Sequence, residues 1–216
     1  MNMRSSHSAS LPKRLFQAAL LIAYAYFCWL MLEISLQYIP IHTDVAFLRI
    51  KQDEIALGYY RIAFFTHVFA APFCLLAGFT QFSKLIRHKL PKVHRWSGWL
   101  YVTSVIGFAA PSGFVMGVHA NGGWPSQLAF CLLGALWLIF TILAVKRAAQ
   151  GDFKAHRAWM IRSFALALSA ITLRAWKWIL VGLFHPRPMD VYMLIAWLGW
   201  TLNLLVAEII IRKIKQ

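Results

Sequence analysis

The sequence has little charge, and the charge it has is mostly of one sign. Only 13% of its 216 residues are Asp, Glu, Lys or Arg, with 7 acidic side chains against 22 basic ones. A soluble domain carries about 25% charged residues, so this composition argues against a water-soluble fold. The cations stand in short clusters between apolar runs, with no separate basic domain, and this excludes a nucleic-acid-binding protein.

Sequence signatures of several catalytic chemistries are also missing. The chain contains no C-x-x-C-H haem-attachment motif, no P-loop and no G-x-S-x-G nucleophile motif. Its three cysteines, Cys28, Cys74 and Cys131, each lie inside an apolar run, where we interpret them as small buried hydrophobic residues rather than a disulfide framework. No cysteines, histidines and carboxylates cluster as the three or four ligands of a zinc site would.

The chain instead contains six long apolar segments. Hydrophobic residues make up 60% of it, and its mean hydropathy is +0.61. Because a helix needs about 20 mainly apolar residues to cross a bilayer, these segments predict an all-α, polytopic membrane helix bundle with six transmembrane helices. The predicted spans are 15–38, 61–82, 97–118, 127–145, 158–184 and 191–211, between an N-terminal tail (1–14) and a basic C-terminal tail (212–216).

Basic residues predict the orientation of these spans. Lys and Arg concentrate in four groups, at residues 13–14, 84–95, 146–157 and 212–215. In a six-span chain all four groups fall on one side, which the positive-inside rule assigns to the cytoplasm, so both termini are inside. We expect a multi-pass protein of the bacterial inner membrane. The outer loop at about 40–60 carries cations and acids together, which indicates an interfacial amphipathic helix.

Four charged residues lie at depths where lipid makes a charge costly. Glu33 is in the outer third of span one, Arg174 and Lys177 are in the outer half of span five, and Glu208 is in the inner part of span six. Matching these depths pairs Glu33 with Arg174 or Lys177, and Glu208 with Arg162. One interpretation is structural ion pairing between helices. The other is an outer site that binds an anionic group.

Three histidines lie on narrow faces of small or polar residues. At 100° per residue, Arg174 falls on the same line as His156, eighteen residues earlier in span five. His94 and His156 both lie at the inner boundary, at the feet of spans three and five, so an inner pair is geometrically easy. An outer pair of His67 with His119 requires His119 to dip into the membrane.

The histidines suggest that the protein binds haem. Imidazoles on facing helices can supply both axial ligands of a b-type haem. His94 and His156 would ligate an inner haem, and His67 would ligate or contact an outer one. The cations expected to neutralise the propionates are Arg95 and Arg157 inside, and Arg174 and Lys177 outside. The protein would then transfer electrons, with a quinone or another redox carrier as candidate partner.

Other functions fit the same residues. KVHRWSGWLY (92–101) and KAHRAWMIRS (154–163) share a K-x-H-R order, which can anchor the foot of a helix among anionic lipid headgroups. A transporter would place its charges near the midplane, whereas the ionisable residues here lie nearer the two surfaces. The alternative function is therefore a non-enzymatic membrane binding or transport protein, with an anionic ligand or lipid at Arg174 and Lys177.

The order of these segments resembles a known family. FFTHVFAAPFCLLAGFTQFSK, HRWSGWLY, HRAWMIRSFAL, ITLRAW and AWLGWTLNLLVAE follow one another over about residues 60–210. This pattern resembles the bacterial multi-pass membrane proteins of domain of unknown function 2306 (DUF2306). The resemblance implies a polytopic membrane protein, with no established chemistry, and His119 is not part of the pattern. The matching positions are His67, Gly78, Gln81, His94, Arg95, Gly98, Tyr101, His156, Arg157, Trp159, Met160, Arg162 and Arg174.

Overall fold

The computed structural model describes residues 11–215, and that range is helical without a β-strand, as predicted. A 3₁₀-helix (Ala46–Ile50) precedes α2, and a π-helix (Ser104–Ala109) joins α6 to α7. The α-helices are α1 (Leu11–Leu36), α2 (Gln52–Ala56), α3 (Gly58–Leu76), α4 (Gly78–Gln81), α5 (Lys84–Lys89), α6 (Pro91–Thr103), α7 (Ala110–Val118), α8 (Trp124–Ala149), α9 (Phe153–Ala167), α10 (Ser169–Phe184) and α11 (Pro188–Lys215).

Five helical segments in the described range are long and apolar enough to cross a membrane singly. They are Arg14–Leu36, Gly58–Gln81, Pro91–Val118, Trp124–Ala149 and Pro188–Ile214. The pair formed by α9 and α10 passes only as a unit that is bent by 42°, so the chain has up to six spans. We call the end that carries α5 and the α8–α9 connection the inner end, and the opposite end the outer end.

The bend in span five corrects one prediction. A common face for His156 and Arg174 assumed a straight helix, whereas the helix is interrupted at Leu168. Asn203 of α11 stabilises the break, because its Nδ2 donates to the Ala165 carbonyl and to Thr172 Oγ1, both at 3.0 Å. His156 and Arg174 therefore belong to two differently directed half-helices.

The packing of the bundle follows from small residues at helix contacts. α8 packs against α7 and α9, α11 packs against α9 and α10, and α3 packs against the π-helix and α7. Gly113 faces α3, whereas Gly117 faces α8, where an added Cβ would lie 3.0 Å from the Cys131 backbone nitrogen. The two glycines of the G-x-x-x-G sequence thus admit two different neighbours. α1 lies at the edge of the bundle, in contact with α3 and α10.

Prolines inside the spans leave backbone groups that other elements use. Pro72 has no N–H to offer the Val68 carbonyl four residues earlier. Ser35 of α1 donates to that carbonyl at 2.9 Å, so the missing helical bond is replaced by a bond between helices. Span three departs from the α-helix at the π-helix, which ends two residues before Pro111.

Candidate functional site

His94 lies in the first turn of α6, at the inner end. α6 begins at Pro91, and proline suits this position because its fixed φ is helical and its missing N–H would have no partner there. The His94 carbonyl accepts a hydrogen bond from Gln81 Nε2 at 2.8 Å, which ties α4 to this turn. The ring atom Nδ1 is buried and has no hydrogen-bond partner among residues 11–215. His94 thus holds an unused ring nitrogen inside the protein.

His156 lies in the first turn of α9. Asp152 caps this helix, because its Oδ1 accepts a hydrogen bond from the Ala155 N–H at 3.0 Å. His156 Nδ1–H donates to the Ala144 carbonyl of α8 at 2.9 Å. Since a carbonyl can only accept, Nδ1 carries the proton and Nε2 of the neutral ring keeps a lone pair. This tautomer, held by a backbone carbonyl, is the one found in histidines that bind a metal through Nε2.

The two inner histidines lie within electrostatic range of each other, although they come from separate helices. Both residues are partly buried, whereas the arginine that follows each one, Arg95 or Arg157, is exposed. The two residues of each H-R pair therefore differ in direction. The histidines turn toward neighbouring helices, and the arginines turn toward the surface.

A surface cavity of about 440 Å³ is lined by Lys92, Arg95, Trp96 and Trp99. These four residues are close to His94 in the sequence. Trp96 is 78% exposed and Trp99 is 62% exposed. Exposed tryptophans next to cations are typical of the membrane interface, where indole rings and basic side chains reach the headgroups. The exposed cations and tryptophans and the partly buried ring of His94 are therefore two separate features of one segment.

His67 lies in the interior of α3, against the end of the π-helix. Its Nδ1–H donates to the Ala109 carbonyl at 2.8 Å. A Cβ added at Gly113 would lie 2.9 Å from His67 Cε1, so the imidazole fills space that only a glycine leaves. The ring is thereby fixed between α3 and α7.

His119 is not paired with His67. Its Nε2 is hydrogen-bonded to Tyr59 Oη at 2.9 Å, and its carbonyl accepts from Lys51 Nζ at 2.5 Å. Lys51 Nζ also donates to Glu54 Oε1 at 2.6 Å. Burial alone would raise the pKa of Glu54, but the hydrogen bond and charge of Lys51 outweigh it and lower that pKa below its ordinary value. These residues form an outer cap over the end of α7.

One of the two predicted ion pairs is present. Arg162 of α9 binds Glu208 of α11 through two bonds, Nε to Oε1 at 2.5 Å and Nη2 to Oε2 at 2.9 Å. This confirms the prediction made from matching depths. Glu33 and Arg174, by contrast, form no ion pair with each other within the described residues.

Arg174 and Glu33 instead line one pocket of about 390 Å³ between α1 and α10. Arg174 Nη1 donates to the Ala170 carbonyl of its own helix at 2.6 Å, and its guanidinium lies within electrostatic range of His67 and Tyr38. Lys177 is exposed and does not line this pocket. The structure therefore separates the two cations that the sequence had grouped as one site.

Four polar side chains are hydrogen-bonded at the centre of the bundle. Trp137 Nε1–H donates to Tyr101 Oη at 3.1 Å, and Thr141 Oγ1–H donates to the Trp137 carbonyl at 2.7 Å. Ser163 Oγ lies 2.7 Å from both Tyr101 Oη and Thr141 Oγ1. Each hydroxyl has one proton, so Tyr101 must donate to Ser163 and Ser163 to Thr141. We call this closed series, which begins and ends on Trp137, the hydroxyl ring.

Sequence reasoning missed two polar residues, Lys51 and Asn203, whose hydrogen bonds hold neighbouring helices in place. Lys51 is 2% exposed, although its place in a charged outer loop predicted an interfacial cation. Asn203, which stabilises the bend in span five, is a lone amide within a long apolar run. That isolation was a usable signal, because an amide in a membrane span needs hydrogen-bond partners on another helix.

The comparisons with known proteins give a family and no function. A family model described as "Predicted membrane protein (DUF2306)" matches residues 64–211, which is more than half of the chain. No curated protein and no solved structure matches the chain significantly. Within the described residues, no group of three or more His, Cys, Asp or Glu side chains is arranged to hold a metal ion. The chemistry therefore has to be argued from the site itself.

Proposed function

We propose that this chain, which belongs to the DUF2306 family of predicted membrane proteins, binds a b-type haem between His94 and His156 and transfers electrons through it. The observation that carries the proposal is that these two imidazoles, from separate helices at the inner end, lie within electrostatic range of each other, with a ring nitrogen of His94 buried and unpaired among residues 11–215. A b-type haem needs only two axial protein ligands, so it requires no larger group of metal-binding side chains.

The ring nitrogens support this assignment. His156 Nδ1–H is held by the Ala144 carbonyl, which leaves Nε2 as the ligand atom. The buried His94 Nδ1 has no partner among residues 11–215, and an unpaired buried polar atom costs about 1–3 kcal/mol. If His94 held the haem iron through Nδ1, this atom would gain a partner and the cost would be removed. Haem would supply one-electron chemistry, and the chain orients the two imidazoles.

The cations around this site fit the propionates of a haem. Arg95 and Arg157 follow the two histidines directly and are exposed at the inner end, where propionates would reach water. At the outer end, His67 stays a proposed ligand or contact of a second haem, with Arg174 and Lys177 as partners of its propionates. The other histidine there, His119, is bonded to Tyr59. The inner site is therefore the one that the geometry favours.

The test is spectroscopic. The protein is expressed with ample haem, purified in detergent and examined as oxidised and dithionite-reduced samples. We expect a Soret band that shifts on reduction, and its loss in His94→Gln and His156→Gln. His88→Gln is the matched control, because His88 is exposed on α5 at the same end.

Two outcomes would contradict the haem proposal. One is wild-type protein without a Soret band. The other is a band of unchanged position and intensity in both glutamine variants, which would leave the K-x-H-R segments as headgroup anchors. Far-ultraviolet circular dichroism and elution volume show that each variant is folded.

A second candidate function is the binding of an amphiphile at the outer end. The specific observation in its favour is the pocket that contains Arg174, a cation without an ion-pair partner among residues 11–215. Charged groups at membrane depth mark ligand sites when they have no structural partner. Because Lys177 lies outside the pocket, Arg174 alone would hold the anionic group. Replacement of Arg174 by glutamine should then weaken binding of any anionic amphiphile.

A further inference from the structure

The pocket between α1 and α10 carries two opposite charges that do not neutralise each other. Glu33 lines one wall and Arg174 lines the other, and no ion pair joins them in the described range. The guanidinium of Arg174 is desolvated by burial and makes one hydrogen bond within residues 11–215, to the Ala170 carbonyl. A guanidinium has five N–H donors, so most of its hydrogen-bonding capacity is unused.

Apart from its polar residues, the lining of this pocket is apolar and extends along the length of α1. The α1 wall extends from Phe27 to Gln37, which is about 15 Å at 1.5 Å per residue. Its polar members, Glu33 and Gln37, lie toward the outer end of α1. The apolar members, Phe27, Leu30, Met31, Ile34 and Trp178, form the remaining surface. A ligand that fits has a polar head near the outer end and a hydrocarbon chain that continues along α1.

We propose that this pocket binds the headgroup of a zwitterionic phospholipid that has a primary ammonium group. The phosphate accepts hydrogen bonds from Arg174, whose planar guanidinium matches two phosphate oxygens at once. The ammonium donates to Glu33. The acyl chains lie against the apolar wall of α1, which is at the edge of the bundle and open to lipid.

The charges of the pocket select this headgroup over its relatives. An anionic headgroup such as phosphoglycerol satisfies Arg174 but brings no cation for Glu33. A trimethylammonium headgroup has a cation but no N–H to donate to the carboxylate. Of these three headgroups, only phosphoethanolamine satisfies both Arg174 and Glu33, and a charge-assisted hydrogen bond accounts for about a tenfold to hundredfold difference in affinity.

This inference deepens the second candidate function and does not depend on haem. The experiment is native mass spectrometry of the full chain, delipidated in detergent and titrated with phosphatidylethanolamine, phosphatidylcholine or phosphatidylglycerol. We expect phosphatidylethanolamine to bind about tenfold or more tightly than the other two. Glu33→Gln should reduce its affinity to that of phosphatidylcholine and leave the other two lipids unchanged.

Two further variants distinguish the existence of the amphiphile site from the choice of its headgroup. Arg174→Gln should weaken all three lipids, because each one contains the phosphate. Lys177→Gln is the matched control, since this cation lies one turn from Arg174 but outside the pocket, and it should change nothing. If Arg174→Gln leaves all three affinities unchanged, the amphiphile site and the headgroup assignment both fail.

Other results overturn the headgroup assignment alone. Phosphatidylglycerol that binds as tightly as phosphatidylethanolamine would indicate a plain anion site. A preference that survives Glu33→Gln would remove the role of the carboxylate. Soluble phosphoethanolamine that competes at equal concentration would show that the ligand is a free solute and not a lipid. Glu33 is exposed, so this variant still decides the question if Arg174→Gln fails to fold.

Discussion

Ser163→Ala is expected to destabilise the bundle by about 1–4 kcal/mol, because Ser163 is the link of the hydroxyl ring between α9 and the other two helices. Its Oγ makes two bonds of 2.7 Å, to Tyr101 and to Thr141. Interhelical hydrogen bonds in membranes contribute about 0.6 kcal/mol each, which gives about 1.2 kcal/mol for the pair. The Tyr101 hydroxyl would also lose its acceptor while buried, which adds up to about 3 kcal/mol.

Ser126→Ala is the matched control. Ser126 and Ser163 are both 0% exposed and lose the same atom, but Ser126 Oγ has no hydrogen-bond partner among residues 11–215. Its replacement should therefore be neutral or slightly stabilising. The assay is equilibrium unfolding in mixed micelles, followed by circular dichroism, with both variants measured against the wild type.

Two results would refute the reasoning about the hydroxyl ring. Equal stability of the two alanine variants would show that the ring contributes nothing. Strict additivity of Ser163→Ala with Tyr101→Phe would show that their hydroxyls do not interact, because neighbours in one network couple by about 0.5–3 kcal/mol.

Two other predictions concern α1 and the outer cap. Ser35→Ala should destabilise the wild type, but less so in a Pro72→Ala background, because alanine restores the N–H that the Val68 carbonyl lacks; a double-mutant cycle in the same unfolding assay measures the difference, and a zero coupling contradicts it. Glu54 has a folded-state pKa below its ordinary value of 4.5, so its stabilising contribution is present above that value and is lost as the pH falls through the lowered pKa. Unfolding measured from pH 6 to pH 3 should lose part of its pH dependence in Glu54→Gln, and an identical profile would be the contrary result.

Local patterns in the sequence predicted the elements that depend on local chemistry. Apolar runs gave the helices, since burial in lipid requires length and little else. Depth alone was enough to pair Arg162 with Glu208, because both charges lie at the same height and have few alternative partners in lipid. The same argument paired Glu33 with Arg174 or Lys177, an ion pair that is absent from residues 11–215, where Glu33 and Arg174 line one pocket instead. The sequence gives the depth of each charge in the membrane. An ion pair also requires that the two helices lie close enough for the side chains to meet.

The features that sequence reasoning missed depend on contacts between distant residues. The bend at Leu168 has no proline or glycine beside it, and it is stabilised by Asn203, a residue of another helix. The inward direction of Lys51 depends on the His119 carbonyl, 68 residues later in the chain. Gly113 and Gly117 lie only four residues apart in the sequence, and the structure shows that they face two different helices. Similarly, the histidine positions predicted equal depth for His94 and His156, and the structure adds that the two side chains lie within electrostatic range of each other.

The closed arrangement of the hydroxyl ring also has a consequence for the movement of protons through the centre of the bundle. A chain of hydroxyls conducts protons only if every member can reverse its direction in turn. Here the series starts at the indole N–H of Trp137, which can only donate, and finishes at the Trp137 carbonyl, which can only accept. Tyr101, Ser163 and Thr141 are thereby held in one direction. These three hydroxyls therefore do not form the reversible chain that proton conduction through the centre of the bundle would need.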